Sequence, residues 1–172
     1  LGYYATPEAH KTLTAHLHIS DDKKLYKRLG IDVRKIFPEY NGPDSMHWDF
    51  GIDRPGKDCW GVIRRKVKNQ YGEYVEISHY PLKTINTIEG LEEYKWPKLE
   101  WFDFKSIKKQ IERIEEDNEY WIGLKFAGSV FEYSWYMRGL EQFMIDFILN
   151  PTYAHKLMEK VFEFWINFTI ET

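Results

Sequence analysis

Residues 124–139 read LKFAGSVFEYSWYMRG, and their pattern passes from an apolar strand through small residues into a helix rich in aromatic side chains. The small segment lacks the glycine spacing of a dinucleotide-binding fingerprint and the Lys-Ser/Thr pair of a phosphate-binding loop. Glycine and alanine instead leave room for a bulky ligand or a neighbouring helix to come close. We therefore interpret this stretch as the floor of a pocket that leads to Tyr136.

Upstream of this stretch, helix and strand signals follow one another. Pro7 suits the first turn of a helix that ends near Leu17. Ser20 is the expected cap of a second helix, which Gly30 ends. The apolar residues 31–37 then predict a buried strand. A helix, a glycine and an apolar strand in this order are typical of an α/β fold.

The rest of the chain adds a hairpin and further helices. Asn-Gly, Gly-Pro and Pro-Gly pairs indicate a loop over 39–58. The other predicted elements are a β-hairpin within 59–80 that turns near 69–72, a short helix capped by Thr87, an amphipathic helix over 103–118, a strand over 120–128, a helix over 140–149 and a last helix that begins with Asn150 and Pro151.

Helices between successive strands imply parallel strands joined by right-handed crossovers. The strands of 31–37 and 120–128 are then neighbours that run in the same direction. Two or three such strands cannot close a barrel, and a (β/α)8 TIM barrel needs about 250 residues. We therefore predict an α/β fold with a single domain over 1–172, the amino-terminal portion of such a barrel with an inserted β-hairpin at 59–80. Apolar helical spacing that continues almost to Thr172 favours a fragment of a longer protein.

Composition excludes several classes of function. A net charge of −3 and a pI near 6.1 argue against a dedicated nucleic-acid-binding protein. No apolar run reaches the roughly 18 residues of a membrane span. The single cysteine, Cys59, excludes an internal disulfide and a multi-cysteine zinc site, and it fits a cytoplasmic protein. Aromatic residues make up 17% of the chain, which predicts that some of them face a ligand or a partner.

Candidate site residues follow the two predicted parallel strands, because ligands bind where such strands end. The first strand leads to Glu39 and Tyr40, and the second leads to Ser129, Glu132, Tyr136 and Arg138. If the strands are parallel, Glu39 and Tyr136 lie on the same side and are candidates for one pocket. A plainer interpretation makes Glu39 a solvated carboxylate and Tyr136 a core aromatic, and spacing alone leaves both open.

Basic residues and histidines give weaker signals. Six cations lie in or beside the hairpin, where they either bind carboxylates or face solvent: Arg54, Lys57, Arg64, Arg65, Lys66 and Lys68. In the second case Glu73 and Glu76 on the partner strand neutralise some of them. The six histidines have no partner at ligand spacing, so the sequence predicts no metal site within this segment.

Several segments resemble one known family. They are ATPEAHKTLTAHL, LYKRLGIDVRKIFPEYNGP, DCWGV, YGEYVEISHYPL, TIEGLEEYKWP and FAGSVFEYSWYMRGLEQFMIDFILNP. Together they resemble the uroporphyrinogen decarboxylase-like (URO-D) superfamily, in particular its divergent branch that includes corrinoid methyltransferases. The resemblance covers nearly the whole chain and implies a (β/α)8 barrel that lacks its first strand and its carboxyl-terminal half.

The resemblance also implies roles for individual residues. Glu39 stands in Phe37-Pro38-Glu39 where the family has the catalytic aspartate of a Phe-Ser-Asp motif, and Tyr136 matches the pocket tyrosine. Both are the expected catalytic residues. The expected substrate-binding residues are Tyr3, Tyr4, Phe126, Gly128, Ser129, Glu132 and Arg138. The decarboxylases carry an arginine pair near the position of Tyr3 and Tyr4, and its absence here puts the binding of a polycarboxylate in doubt.

Three functions are implied for a tetrapyrrole- or corrinoid-linked substrate. The favoured one is corrinoid-dependent methyl transfer, in which zinc and a corrinoid belong to the intact protein. The alternatives are decarboxylation of uroporphyrinogen III in porphyrin biosynthesis and a non-catalytic tetrapyrrole-binding or interaction protein. The expected partners are a small-molecule or corrinoid-protein substrate and a second copy of the chain or the missing half of the barrel, with no nucleic acid and no membrane.

Overall fold

The computed structural model describes residues 2–48, 54–70, 72–115, 120–124 and 129–172. The described chain is a mixed α/β structure, as predicted, and its strands form no closed barrel. It divides into two compact units. Unit 1 contains 2–37, 105–115 and 120–124, and unit 2 contains the described residues of 38–104 and 129–172.

The elements are numbered in chain order. The helices are α1 (Pro7–Leu17), α2 (Asp22–Leu29), α3 (Ile88–Glu93), α4 (Lys105–Glu115), α5 (Val130–Arg138), α6 (Leu140–Leu149) and α7 (Pro151–Glu171). The strands are β1 (Val33–Ile36), β2 (Glu39–Tyr40), β3 (Gly56–Lys57), β4 (Ile63–Asn69), β5 (Gly72–His79), β6 (Phe102–Asp103) and β7 (Trp121–Leu124).

Unit 1 is built around the parallel pair of β1 and β7. The register runs from Val33 opposite Trp121 to Ile36 opposite Leu124. Helix α4 lies between the two strands in the chain and packs against β1. The Gln110 side chain of α4 donates a hydrogen bond to the Phe37 carbonyl at 2.8 Å. The predicted neighbouring, parallel arrangement of these two segments is therefore confirmed.

The boundaries of the first two helices follow from capping. Thr6 caps α1, with Pro7 in the first position, and Gly30 ends α2 in the left-handed region at φ +66°. The predicted cap of α2 at Ser20 is wrong. The Asp21 carboxylate instead accepts a hydrogen bond from the Lys23 N–H, because the backbone remains extended one residue further than expected.

Unit 2 contains the predicted hairpin. Strands β4 and β5 pair in antiparallel fashion, with Asn69 opposite Gly72, which confirms the predicted turn. Strand β3 adds a third strand at the β4 edge. The interpretation of 39–58 as loop throughout is wrong at both ends, because β2 pairs with β6 and β3 pairs with β4. Because Asp103 belongs to β6, which pairs with β2, α4 starts at Lys105 rather than at the predicted residue 103.

Aromatic side chains from distant parts of the chain form the core of unit 2. Trp60 is fully buried, and its ring lies 4.9 Å from that of Phe164 and 5.0 Å from that of Tyr133. Helix α7 buries residues three or four apart along one face, including Leu157, Val161 and Phe168. Much of the high aromatic content is thus core.

Candidate functional site

The most chemically distinctive part of unit 2 is a group that we name the Asp58–Arg64 cluster, made of Asp58, Trp60, Arg64 and Tyr136. Asp58 and Arg64 form an ion pair whose residues are 2% and 4% exposed. The Arg64 guanidinium carbon lies 5.2 Å from the centre of the Tyr136 ring. A buried ion pair therefore lies against the tyrosine that the sequence places in the pocket.

A tight turn between β3 and β4 fixes the Asp58 carboxylate. Its Oδ1 accepts hydrogen bonds from the N–H groups of Trp60 and Val62, both at 3.0 Å, and its Oδ2 accepts one from Arg64. Gly61 lies in this turn at φ +84°, and a Cβ there would lie 2.3 Å from the Tyr94 hydroxyl oxygen. Burial raises the pKa of the Asp58 carboxyl, against the lowering effect of the Arg64 charge and of the two N–H groups.

Tyr136 projects from the last turn of α5 and is 8% exposed. Its ring also contacts Tyr133 in an edge-to-face arrangement at 5.8 Å. Burial raises the pKa of the Tyr136 phenol, the Glu132 carboxylate raises it further, and the Arg64 charge opposes both effects. The phenol therefore keeps its proton at neutral pH and can donate a hydrogen bond.

Glu39 lies in β2, directly after the strand that was predicted to deliver it, and its side chain is exposed. The structure gives it a backbone pairing with Asp103 across β2 and β6. Glu39 and Tyr136 belong to the same unit but differ in burial, since Tyr136 is buried. Their shared cavity stays a prediction.

Tyr40, the next residue, follows the same predicted strand, but the family resemblance assigns it no catalytic or substrate-binding role. Its ring packs edge-on against Trp101 and Phe102, and Gly42 lies so close that a Cβ there would overlap the Tyr40 hydroxyl group. The hydroxyl oxygen is buried and has no hydrogen-bond partner in the described part of the chain. Burial raises the pKa of Tyr40 to about 12. A buried, unsatisfied O–H next to Glu39 makes Tyr40 an additional candidate.

Two predicted substrate-binding residues, Ser129 and Glu132, form the start of α5, and their role in substrate binding stays a prediction. Ser129 Oγ accepts a hydrogen bond from the Glu132 N–H at 3.2 Å, and the Glu132 carboxylate accepts one from the Ser129 N–H at 2.9 Å. This reciprocal pair is a capping box, for which Ser-x-x-Glu is the usual spacing. Glu132 still lies one helical turn from Tyr136. Phe126 and Gly128, the predicted pocket floor, lie outside the described residues.

Arg138 has a structural role that uses all five of its N–H donors. Nε and Nη2 donate to the buried Asp146 carboxylate at 2.7 and 3.3 Å, and Nη2 also donates to the Asn86 side chain at 3.0 Å. Nη1 donates to the carbonyls of Leu82 and Ile85 at 2.8 and 2.9 Å. We therefore assign Arg138 to the scaffold of unit 2 rather than to a substrate.

Tyr3 and Tyr4 lie in unit 1, whereas the other described candidates lie in unit 2. The Tyr3 hydroxyl group hydrogen-bonds to His10 Nδ1 at 3.2 Å, and the Tyr3 ring packs against Tyr26 at 5.7 Å. Tyr4 is 81% exposed, and the Lys35 ammonium lies 5.9 Å from its ring centre. Tyr3 therefore helps to hold the first helices together, while Tyr4 is open to solvent.

The basic residues of the hairpin separate into two groups. Lys66 forms an exposed ion pair with Glu73 at 2.6 Å, as the solvent-facing interpretation predicts, and Lys68 lies 3.8 Å from the same carboxylate. Arg64 differs, because it is buried and binds the chain's own Asp58. Sequence alone does not distinguish Arg64 from the other five cations, and the carboxylate that it binds lies in a segment interpreted as loop.

Unit 1 has its own basic cavity, of about 420 Å³, near the start of β1 and β7. The residues that line it are Asp22, Lys23, Lys24, Tyr26, Lys27, Arg34, Arg113, Ile114 and Tyr120. Arg34 has structural partners here: its guanidinium stacks on Tyr120 at 3.8 Å, and Nη1 donates to the Ile31 carbonyl at 2.9 Å. Lys27 stabilises the carboxyl end of α2. These contacts explain the positions of two of the five cations that line the cavity, and no ligand is needed to explain them.

A second cavity, of about 530 Å³, lies beside the Asp58 turn, with Lys57, Cys59 and Tyr94 among its lining residues. Cys59 is 2% exposed, and burial raises the pKa of its thiol. The thiol therefore stays protonated and packs as a small apolar side chain. The Tyr94 hydroxyl donates to the Trp60 carbonyl at 2.8 Å and braces the same turn.

The described residues contain no group of three or more His, Cys, Asp or Glu side chains arranged to hold a metal ion. Within the same ranges, no helix is both long and apolar enough to cross a membrane.

Comparison with protein-family models, curated proteins and solved structures found no match. Fold and site together define a mixed α/β protein in which a parallel strand pair and an aromatic, ion-paired cluster are the distinguishing features.

Proposed function

We propose that this chain is part of a barrel enzyme of the uroporphyrinogen decarboxylase-like superfamily that acts in corrinoid-dependent methyl transfer. The observation that carries the proposal is the parallel pairing of β1 and β7. In a parallel sheet, the carboxyl ends of adjacent strands meet at one edge, and ligands bind there. The residues that follow these two strands include Glu39 after β1 and Tyr136 after β7.

The environment of Tyr136 favours methyl transfer over decarboxylation of a polycarboxylate. A decarboxylase of this kind needs arginine donors to hold several substrate carboxylates. The two arginines that follow or contact the Tyr136 segment are already bound to protein carboxylates, Arg138 to Asp146 and Arg64 to Asp58. A corrinoid is a large ring with neutral amide groups at its edge. It suits the aromatic rings and the hydroxyl group at Tyr136 better than a polycarboxylate does.

A bound corrinoid would supply the methyl group: its cobalt would keep the electron pair of the cobalt–carbon bond, while the methyl group would pass to a thiolate acceptor that has released its proton to solvent. The chain's own contribution is to bind and orient. Tyr136 would donate a hydrogen bond to the corrinoid periphery, and Glu39 would accept one from it in the predicted shared pocket. Neither residue is required to change its protonation state during the transfer.

Helix α6 has an exposed apolar face that could bind a partner. It presents large apolar side chains to solvent, among them Ile148 at 81% and Leu149 at 78% exposure. An exposed apolar face of this kind is typical of an interaction surface. It is in keeping with the predicted pairing of the chain with a second copy or with the other half of a barrel.

The affinity for methylcobalamin tests the proposal. We expect saturable binding that Tyr136→Phe weakens by about tenfold, the effect of losing one hydrogen bond to a ligand. The control is Tyr74→Phe, which removes a hydroxyl group from a hairpin tyrosine that is 44% exposed and should leave the affinity unchanged. Uroporphyrin serves as the competing ligand. Tight uroporphyrin binding with no methylcobalamin binding would reverse the choice between methyl transfer and decarboxylation, and binding of neither would refute the proposal.

A further inference from the structure

Two buried arginine–aspartate pairs lie in unit 2, and they differ in one respect. Arg138 uses all of its N–H donors on the protein, which is the pattern of a purely structural group. Arg64 is equally buried, yet its Nε has no hydrogen-bond partner among the described residues. Leaving a buried N–H unsatisfied costs free energy, so a guanidinium that served packing alone would be expected to satisfy it.

The position of Arg64 is firmly set. Asp58 binds it, and the N–H groups of Trp60 and Val62 hold the Asp58 carboxylate. The Tyr94 hydroxyl braces the same turn from the other side through the Trp60 carbonyl. The guanidinium therefore has little freedom to move away from whatever it faces.

The group that Arg64 faces is the Tyr136 ring, 5.2 Å away. A cation over the face of a phenol is attracted to the ring and fixes its plane. The positive charge also withdraws electron density from the O–H bond, which makes the hydroxyl group a better hydrogen-bond donor. Glu132, one turn earlier on α5, acts in the opposite direction on the same phenol.

We propose that Arg64, anchored by Asp58, is the positioning residue of Tyr136: its guanidinium orients the phenol ring and strengthens its hydroxyl group as the hydrogen-bond donor to substrate. This inference rests on the proposed function for its meaning, but the coupling between the two side chains exists without a substrate. The hairpin thereby contributes to the pocket through a residue that does not itself reach the ligand.

The titration of the Tyr136 phenol tests the coupling. In protein with ¹³C-labelled tyrosine rings, Tyr136→Phe identifies the signal of Tyr136, and its chemical shift is followed against pH. The double variant Asp58→Asn/Arg64→Met removes both charges, while the new amide oxygen still accepts hydrogen bonds from the Trp60 and Val62 N–H groups. We expect the Tyr136 pKa to move upward in this variant, because the cation that favoured the ionised phenol is gone.

Two further variants separate a specific effect from a general one. Asp58→Asn/Arg64→Lys retains a positive charge at the position and should restore most of the wild-type titration. Lys66→Met/Glu73→Gln removes an exposed ion pair from the same hairpin and should leave Tyr136 unmoved. An unchanged Tyr136 titration in a folded Asp58→Asn/Arg64→Met protein would overturn the inference, and so would an equal shift in the Lys66→Met/Glu73→Gln control. Because no ligand is present, neither outcome depends on methylcobalamin binding.

Discussion

Replacing Arg138 with methionine should destabilise unit 2 by about 3–5 kcal/mol, the usual cost of removing one partner from a buried ion pair. The substitution leaves the Asp146 carboxylate, which is 3% exposed, without its cation. It also removes the donor to the carbonyls of Leu82 and Ile85, which tie the segment after β5 to the end of α5. The loss should appear as a lower free energy of unfolding in urea, followed by tryptophan fluorescence.

The matched control for this substitution is Lys160→Met. Lys160 forms an ion pair with Glu92 that is partly exposed to water, and such pairs contribute at most about 1 kcal/mol. The double variant Arg138→Met/Asp146→Leu should recover part of the loss, because it removes the unpaired charge as well. If Arg138→Met alone costs no more than Lys160→Met, the scaffold role assigned to Arg138 is wrong.

Asp58→Ala is the second substitution with a large expected effect. It leaves the buried Arg64 guanidinium without its carboxylate and removes the acceptor for the N–H groups of Trp60 and Val62. We expect a loss of about 3 kcal/mol or more in the free energy of unfolding. Asp58→Asn should cost less, because an amide oxygen still accepts from the two N–H groups while only the charge is lost.

The comparison of these two variants separates the contribution of the Asp58 charge to stability from that of the two backbone hydrogen bonds in the turn. If Asp58→Ala and Asp58→Asn are equally destabilised, the ion pair is the dominant contribution and the two backbone hydrogen bonds matter little. If both retain wild-type stability, the Asp58–Arg64 cluster does not have the energetic role that its burial indicates.

The parts of the fold that sequence predicted are those that depend on local chemistry. Proline in the first turn set the start of α1, Gly30 set the end of α2, and Thr87 capped α3 as expected. The parallel pairing of β1 and β7 followed from the helix between them, because a crossover constrains strand direction.

The strands that sequence missed are two residues long. β2, β3 and β6 have too few residues to show an alternating pattern, and their conformation is fixed by the strand against which each pairs. The Ser20 prediction failed for a related reason. Serine and aspartate are nearly equivalent caps, so only the backbone conformation decides between adjacent candidates such as Ser20 and Asp21.

The candidate site was predictable as a region but not residue by residue. Tyr136 was selected from its position after a strand, yet Arg64, its charged neighbour, comes from a hairpin far earlier in the chain. Burial of Arg64 and Arg138 depends on Asp58 and Asp146, and a sequence does not show which carboxylate an arginine will meet. The Ser129–Glu132 capping box, in contrast, has a spacing that a sequence shows directly.

The most direct test of the account is whether a corrinoid binds beside Tyr136. Cob(II)alamin has an unpaired electron, which broadens the NMR signals of nuclei close to it. With ¹³C-labelled tyrosine rings, we predict that added cob(II)alamin broadens the Tyr136 signal and leaves the signal of Tyr74, on the exposed face of the hairpin, sharp. Saturable binding of cob(II)alamin that leaves the Tyr136 signal sharp would contradict the proposal, because the corrinoid would then occupy a site away from Tyr136.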